Sequence, residues 1–196
     1  MPGTFKVGLP LRSDQDPDPA VAQPLRHVRE QTGMVPNMYA EMSNFPPLLD
    51  AYQHGSKLFR SQAGFTAVEQ ELILLAISRE NECHYCVAAH SFLAQNAGVP
   101  SEIIEAIRSD RPIPDSKLEA LRTFVRKMVE SRGNPTDADA KAFLDSGYSE
   151  KQILGIILAI GVKVLSNYTN HIFHTEVDDA FTSVRWEETA NADASA

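Results

Sequence analysis

Helical patterning fills almost the whole chain, and no stretch alternates apolar and polar residues as a half-buried strand would. Apolar residues recur at three- and four-residue spacing, and short breaks at glycine, proline or asparagine separate the segments. Thr66 with Glu69, and Ser149 with Gln152, have the spacing of capping boxes at the heads of two apolar helices. The pattern therefore predicts an all-α fold.

The chain of 196 residues is long enough to form one domain with its own core. Residues 1–19 are rich in proline and lack a periodic apolar pattern, so we expect them to form an extended N-terminal arm. Residues 20–186 are predicted to form a single helical domain. Residues 187–196 are small and polar, and we expect a flexible tail there.

An internal similarity organises the helical region. Residues 64–85 align without gaps on residues 147–168, and both segments carry a glycine, a capping box and an apolar run at matching positions. This similarity predicts two similar helical units, although two apolar helices with similar caps can also match by chance. The second unit has serine, threonine and phenylalanine where the first has Cys83, Cys86 and His90.

The charge and hydropathy of the chain exclude several classes of partner. The net charge is −8, which argues against a nucleic-acid partner because phosphate binding requires clustered Lys and Arg. The N-terminus lacks the basic start and apolar core of a signal peptide, and the apolar run 153–162 is too short to span a bilayer. We therefore expect a cytoplasmic protein with no membrane partner. Cysteines at CxxC spacing in that compartment are expected to be redox-active or metal-binding.

Cys83, Cys86 and His90 are predicted to share one face of a helix, because positions three and four apart lie on the same side. The two cysteine Cα atoms would be roughly 5 Å apart, within the range of a disulfide. The helix N-terminus favours a thiolate at Cys83, whereas His90 can act as a base for Cys86. Spacing alone leaves open which sulfur is the stronger nucleophile.

Glu71 is the fourth candidate site residue. It lies near the start of a helix that is apolar on all sides, where a carboxylate needs a partner, and a nearby imidazole would suffice. The alternative is a solvated first-turn glutamate that the helix dipole favours.

Taken together, Glu71, Ser78-Arg79 and the spacing Cys83-x-x-Cys86-x-x-x-His90 resemble the AhpD alkylhydroperoxidase signature of the carboxymuconolactone decarboxylase superfamily. Upstream, Gly33-x-Val35-Pro36-Asn37 and Phe45-Pro46 are similar to the peroxidase-related branch of that superfamily. The resemblance covers roughly residues 33–100. It implies an AhpD-like helical fold built from two similar units, and a homo-oligomer.

The resemblance also implies a thiol-dependent peroxidase that reduces organic hydroperoxides. Cys86 would attack the peroxide, Cys83 would resolve the sulfenic acid to a disulfide, and His90 would take the thiol proton with Glu71 behind it. A dithiol reductant, such as a lipoyl group or a thioredoxin-like protein, would regenerate the thiols. No cofactor and no metal site are implied. Some AhpD members have a histidine where this chain has Tyr85, which leaves the reductant open.

Three other interpretations compete with a peroxidase. The cysteines and His90 could bind zinc, with His84, His171 or His174 as a fourth ligand. Lactone decarboxylation is the namesake reaction of the superfamily, but we expect it to need no redox dithiol. A redox-sensing protein or a general disulfide reductase would use the same dithiol without physiological turnover of peroxide.

Overall fold

The structure is a computed structural model, and it describes residues 4–187 of the chain. Within those residues it contains nine α-helices, one 3₁₀ helix and no β-strand, which confirms the predicted all-α class. In chain order the helices are α1 (Pro19–Thr32), α2 (Asn37–Met42), α3 (Pro46–Gln62), α4 (Ala67–Glu80), α5 (His84–Asn96), α6 (Ser101–Arg108), α7 (Ser116–Glu130), α8 (Asp137–Asp145), α9 (Glu150–Phe173) and the 3₁₀ helix (Asp179–Val184).

The two long apolar helices begin in the same way. At the head of α4, the side chain of Thr66 accepts a hydrogen bond from the backbone N–H of Glu69. The Glu69 carboxylate in turn accepts from the Thr66 N–H at 2.9 Å. Ser149 and Gln152 form the equivalent capping box at the head of α9. Both predicted boxes are therefore confirmed, and they place two helix starts at matching positions of the two units.

The two units diverge after the helix starts. In the first unit, α4 ends at Glu80 and Glu82 takes a left-handed backbone conformation with φ of 52°. In the second unit, α9 continues through the matching region without a break as far as Phe173. The break gives the first unit a new helix N-terminus at Cys83, which is the N-cap of α5.

α4 is the central helix of the core. Its residues from Leu72 to Ile77 are all buried, and it packs against α5, α6, α7 and α9. A second apolar cluster, which includes Leu25, Met42 and Leu49, surrounds both cysteines. The dithiol therefore lies inside the folded protein and not on its surface.

α9 is long enough and apolar enough to cross a membrane by composition, with a mean hydropathy of 1.4 over its best window. It packs against α2, α3, α4 and α7, however, and is a core helix of the described fold. The apolar run 153–162 is shorter than α9. The helix continues beyond the run because Lys163 and several polar residues after it are buried within the fold.

α2 and the 3₁₀ helix were not predicted from the sequence patterns. α2 begins at Asn37, whose backbone N–H donates to Asp178 Oδ1 at 3.1 Å. Because this partner is distant in sequence, local signals do not reveal the helix start.

The N-terminal arm is extended over residues 4–18, apart from a turn at residues 14–15. It packs against the helical part of the same chain. The Val7 N–H donates to the Ile172 carbonyl at 2.9 Å, and the Asn44 side chain donates to the Pro10 carbonyl at 2.8 Å. Residues 1–3 of the predicted arm and residues 188–196 of the predicted tail lie outside the described residues.

Two glycines of α9 give a matched test of the packing between α3 and α9. An added Cβ at Gly155 would lie 3.0 Å from Ala63 Cβ and 3.2 Å from the Ala63 carbonyl oxygen, whereas one at Gly161 meets nothing within 4 Å. We expect Gly155→Ala to lower the free energy of unfolding by about 1–2 kcal/mol through overpacking. Gly161→Ala should raise it by about 1 kcal/mol through helix propensity. Urea unfolding measures both, and an equal stabilisation would show that the α3–α9 contact is looser than described.

Candidate functional site

The break between α4 and α5 positions the two cysteines. The Cys83 N–H donates to the Ser78 carbonyl at 3.0 Å, and the extended backbone of Cys83 starts α5. Cys86 follows in the first turn. Both thiols are free and buried, with exposed fractions of 1% for Cys83 and 3% for Cys86. The side-chain amide of Asn170, from α9, donates to Cys86 Sγ at 3.0 Å and lies 3.6 Å from Cys83 Sγ.

His90 lies one turn beyond Cys86 and is held by Glu71. His90 Nδ1 is 3.0 Å from Glu71 Oε2, and Arg60 Nη1 is 2.7 Å from Glu71 Oε1. Burial acts to raise the pKa of Glu71, but His90 and Arg60 outweigh it and lower that pKa to about 2. Because Glu71 is a carboxylate, Nδ1 carries the ring proton and Nε2 is left as an acceptor. The structure thus brings together Glu71 and His90, as predicted.

The imidazole and the thiols have shifted pKa values. Burial, followed by the charge of Lys163, lowers the pKa of His90 and keeps the ring neutral near pH 7. A hydrogen bond from Cys86, assisted by Lys163 and Asn170, lowers the pKa of Cys83 to about 6. Burial and the hydrogen bond to Cys83 raise the pKa of Cys86 well above its usual value. The pair therefore holds one negative charge, on Cys83, and one proton, on Cys86.

Cys86 and His90 line a cavity of about 380 Å³. Its walls are largely apolar and aromatic and include Tyr39, Tyr52 and Phe181. This lining suits an apolar ligand of modest size.

Cys83 does not line this cavity. It faces a second one of about 360 Å³, together with Asn170, His171 and His174. The predicted shared helix face is therefore corrected: Cys83 is the N-cap of α5, with φ of −90° and ψ of 92°, and it lines a different cavity from Cys86 and His90. The two thiols remain within hydrogen-bonding reach of each other.

Three site residues were missed by the sequence analysis: Arg60, Lys163 and Asn170. Lys163 is 1% exposed, and its Nζ has no hydrogen-bond partner among the described residues. Lys163 and Asn170 are seven positions apart on α9, so they share a helix face, and polar residues at helical spacing in an apolar helix were the available signal. Arg60 has no comparable signal, because it lies at the exposed end of α3.

Two of the three histidines considered as additional zinc ligands, His84 and His174, make other contacts. His84 Nδ1 is 3.0 Å from the Trp186 carbonyl, and the two rings lie 5.0 Å apart. His174 is the C-cap of α9, and its Nε2 is 3.1 Å from Thr4 Oγ1. Within residues 4–187, no three side chains of His, Cys, Asp or Glu come together in a way that could hold a metal ion.

Part of the chain matches a known protein family. Residues 46–124 match the carboxymuconolactone decarboxylase family, and this range includes Glu71, both cysteines and His90. A search of curated proteins finds no match.

Solved structures with the same fold come from several proteins. An uncharacterized peroxidase-related protein with an alkylhydroperoxidase AhpD core, from Ralstonia eutropha JMP134, is 22% identical; the match covers 88% of this chain and 93% of that one, with a TM-score of 0.78. A peroxidase-related protein from Silicibacter sp. TM1040 is 19% identical, with coverages of 90% and 93% and a TM-score of 0.76.

The debrominase Bmp8, solved with 2,3,4-tribromopyrrole as a cysteine-to-alanine variant, is 17% identical, with coverages of 84% and 89% and a TM-score of 0.69. These matches share the helical architecture over most of both chains. The chain therefore has an AhpD-like fold, and its residues 46–124 are similar to the carboxymuconolactone decarboxylase family.

Proposed function

We propose that this protein is a thiol-dependent peroxidase that reduces organic hydroperoxides through a dithiol–disulfide cycle of Cys83 and Cys86. The observation that carries the proposal is a pair of free, buried cysteines of which Cys86 lines an apolar cavity together with an imidazole that a carboxylate holds. The AhpD-like fold and the peroxidase-related structural neighbours support an oxidoreductase.

Cys86 is the sulfur proposed to attack the peroxide, because it lines the 380 Å³ cavity together with His90. His90 Nε2 takes the Cys86 proton, and the sulfur attacks the terminal oxygen of the hydroperoxide. The S–O bond forms as the O–O bond breaks. The leaving alkoxide takes the proton from His90 and departs as an alcohol, and Cys86 becomes a sulfenic acid.

Cys83 then resolves the sulfenic acid. Its lowered pKa keeps it ionised near pH 7, so the thiolate attacks the Cys86 sulfur. The S–S bond forms, the S–O bond breaks, and hydroxide takes up a proton and leaves as water. Glu71 acts as the positioning group, because it fixes the imidazole with Nε2 free.

An external dithiol closes the cycle. Its thiolate attacks the Cys86 sulfur and expels Cys83, which is a good leaving group because its pKa is low. The second thiol of the reductant then releases Cys86, so the reductant becomes a disulfide and both cysteines regain the reduced state. A lipoyl group or a thioredoxin-like protein in the cytoplasm would supply this dithiol.

A homo-oligomer is also proposed. Leu154, Ile157, Tyr168 and Ile172 are exposed along α9, with exposed fractions of 44–66%. An exposed apolar stripe of this kind is typical of an interface between subunits.

A second candidate function is dithiol-driven removal of a halogen from a small aromatic ring. The aromatic walls of the 380 Å³ cavity favour it, and the structural neighbour bound to tribromopyrrole shows that this fold can hold such a ring. Assays of halide release alongside peroxide consumption separate the two functions.

The two cysteines can be tested by single substitutions. With cumene hydroperoxide and dihydrolipoamide, we expect Cys86→Ser to reduce turnover to the uncatalysed background. Cys83→Ser should still react once and leave a sulfenic acid that dimedone traps at Cys86. Full activity of Cys86→Ser would contradict the mechanism. An inactive wild type that still reduces disulfides would favour a redox sensor or a disulfide reductase.

Glu71 has a matched control in Glu69, another buried glutamate of α4. Glu71→Gln should lower kcat/KM by about 10–100-fold, because the imidazole loses its carboxylate partner. Glu69→Gln should leave turnover intact and lower the free energy of unfolding by about 1 kcal/mol, because Glu69 serves the capping box and accepts from Tyr148. Equal effects of both variants on turnover would show that Glu71 acts through the fold.

The pH dependence of thiol alkylation tests the charge on Cys83. Because its pKa is lowered to about 6, the thiolate is present above that pH and is lost as the pH falls through it. Alkylation by iodoacetamide should therefore rise to a plateau near pH 7, whereas an ordinary thiol keeps gaining reactivity beyond about pH 8. Mass spectrometry should find the modification at Cys83. A midpoint above pH 8 would contradict this assignment.

A further inference from the structure

We infer that Lys163 is the buried counterion of the dithiol, a positioning residue whose charge holds one sulfur ionised and keeps the Cys83–Cys86 couple easy to reduce. The inference rests on the proposed function only in treating these cysteines as a redox couple. It concerns the reduced protein itself and does not depend on which substrate the couple reduces.

The first line of support is the burial of Lys163. Its side chain is 1% exposed, and Nζ makes no hydrogen bond and no ion pair within 4.0 Å among the described residues. Removing an ammonium group from water costs several kcal/mol unless a negative charge compensates it. An anion near Lys163 offsets this cost and keeps the ammonium group charged.

The carboxylates of the site are already engaged. Glu71 is paired with Arg60 through one oxygen and with His90 through the other. Asp178 accepts from the Tyr85 hydroxyl at 2.5 Å and from the backbone of α2. Neither lies within ion-pair distance of Lys163 Nζ.

The remaining groups that face the sulfurs are not anions at neutral pH. Burial raises the pKa values of Tyr39 and Tyr52, so both remain neutral hydroxyls. His84 and His171 lie on the Cys83 side and carry no negative charge in either protonation state. The Cys83–Cys86 pair therefore holds the remaining negative charge, and Lys163 lies on the Cys86 side of the pair, where both residues line the 380 Å³ cavity.

The charge count of the site explains the effect on redox chemistry. In the reduced protein, Arg60 offsets Glu71 and Lys163 offsets the thiolate, while His90 is neutral. Forming the disulfide removes the thiolate charge and leaves Lys163 without a counterion. This cost falls on the oxidised form, so the charge of Lys163 favours the reduced dithiol, as any group that stabilises a thiolate does.

The test compares Lys163→Met with Lys151→Met, an exposed lysine on the same helix. The first readout is the alkylation midpoint of the purified, reduced full-length chain. We expect Lys163→Met to raise it by about one unit or more. The second is the equilibrium with dithiothreitol at pH 8, where the equilibrium constant for reduction should fall about tenfold, equivalent to about 30 mV. Lys151→Met should change neither.

Thermal unfolding separates this role from a structural one. Removing one member of a buried ion pair destabilises a protein when the other member stays charged, but here the thiolate can take up a proton. The reduced Lys163→Met variant is therefore expected to remain folded, with at most a modest loss of stability. Lys163→Gln provides the same readouts if Lys163→Met does not fold. An unchanged midpoint and equilibrium, with or without loss of stability, would overturn the inference.

The two proposals fail in different ways. A protein that consumes no hydroperoxide, yet shows the expected shifts in Lys163→Met, would refute the peroxidase and retain the counterion. Normal peroxide turnover by the wild type, with no shift of the alkylation midpoint or the redox equilibrium in Lys163→Met, would retain the peroxidase and refute the counterion.

Discussion

The chemistry of this protein depends on a short interruption between two helices. Glu82 adopts a left-handed conformation, and the Cys83 N–H is bonded to the Ser78 carbonyl, so the chain ends one helix and starts the next within three residues. This interruption creates unpaired backbone N–H groups beside a buried sulfur. The second unit of the fold, which lacks the interruption, runs as one helix and has no residue in an equivalent N-cap position.

Burial shapes each charge that the interruption brings together. Desolvation by itself would neutralise the site, because it penalises every ionised group. Ionisation survives only where a partner of opposite sign is supplied, as Arg60 does for Glu71. The site is thus a small set of compensating charges inside an apolar cluster, and the state of each member depends on the others.

Much of this arrangement was predictable from the sequence, for local reasons. Capping boxes and helical periodicity act within a few residues, so the starts of α4 and α9 and the spacing of Cys86 and His90 were visible. The partners that tune them come from elsewhere in the chain: Arg60 from α3 and Asn170 from α9. The start of α2 likewise depends on Asp178, which accepts from the Asn37 N–H. Contacts between distant segments set those details, and a single sequence does not encode them as a pattern.

α9 contacts both the packed core and the two cysteine sulfurs. Gly155 of α9 is in close contact with Ala63 at the end of α3. The same helix positions Asn170, whose side-chain amide nitrogen lies 3.0 Å from Cys86 Sγ. The two positions are separated by roughly 22 Å along one continuous helix. A sideways displacement at one end therefore reaches the amide at the other. A larger side chain at Gly155, far from either thiol, would then alter the reactivity of Cys86 by moving Asn170.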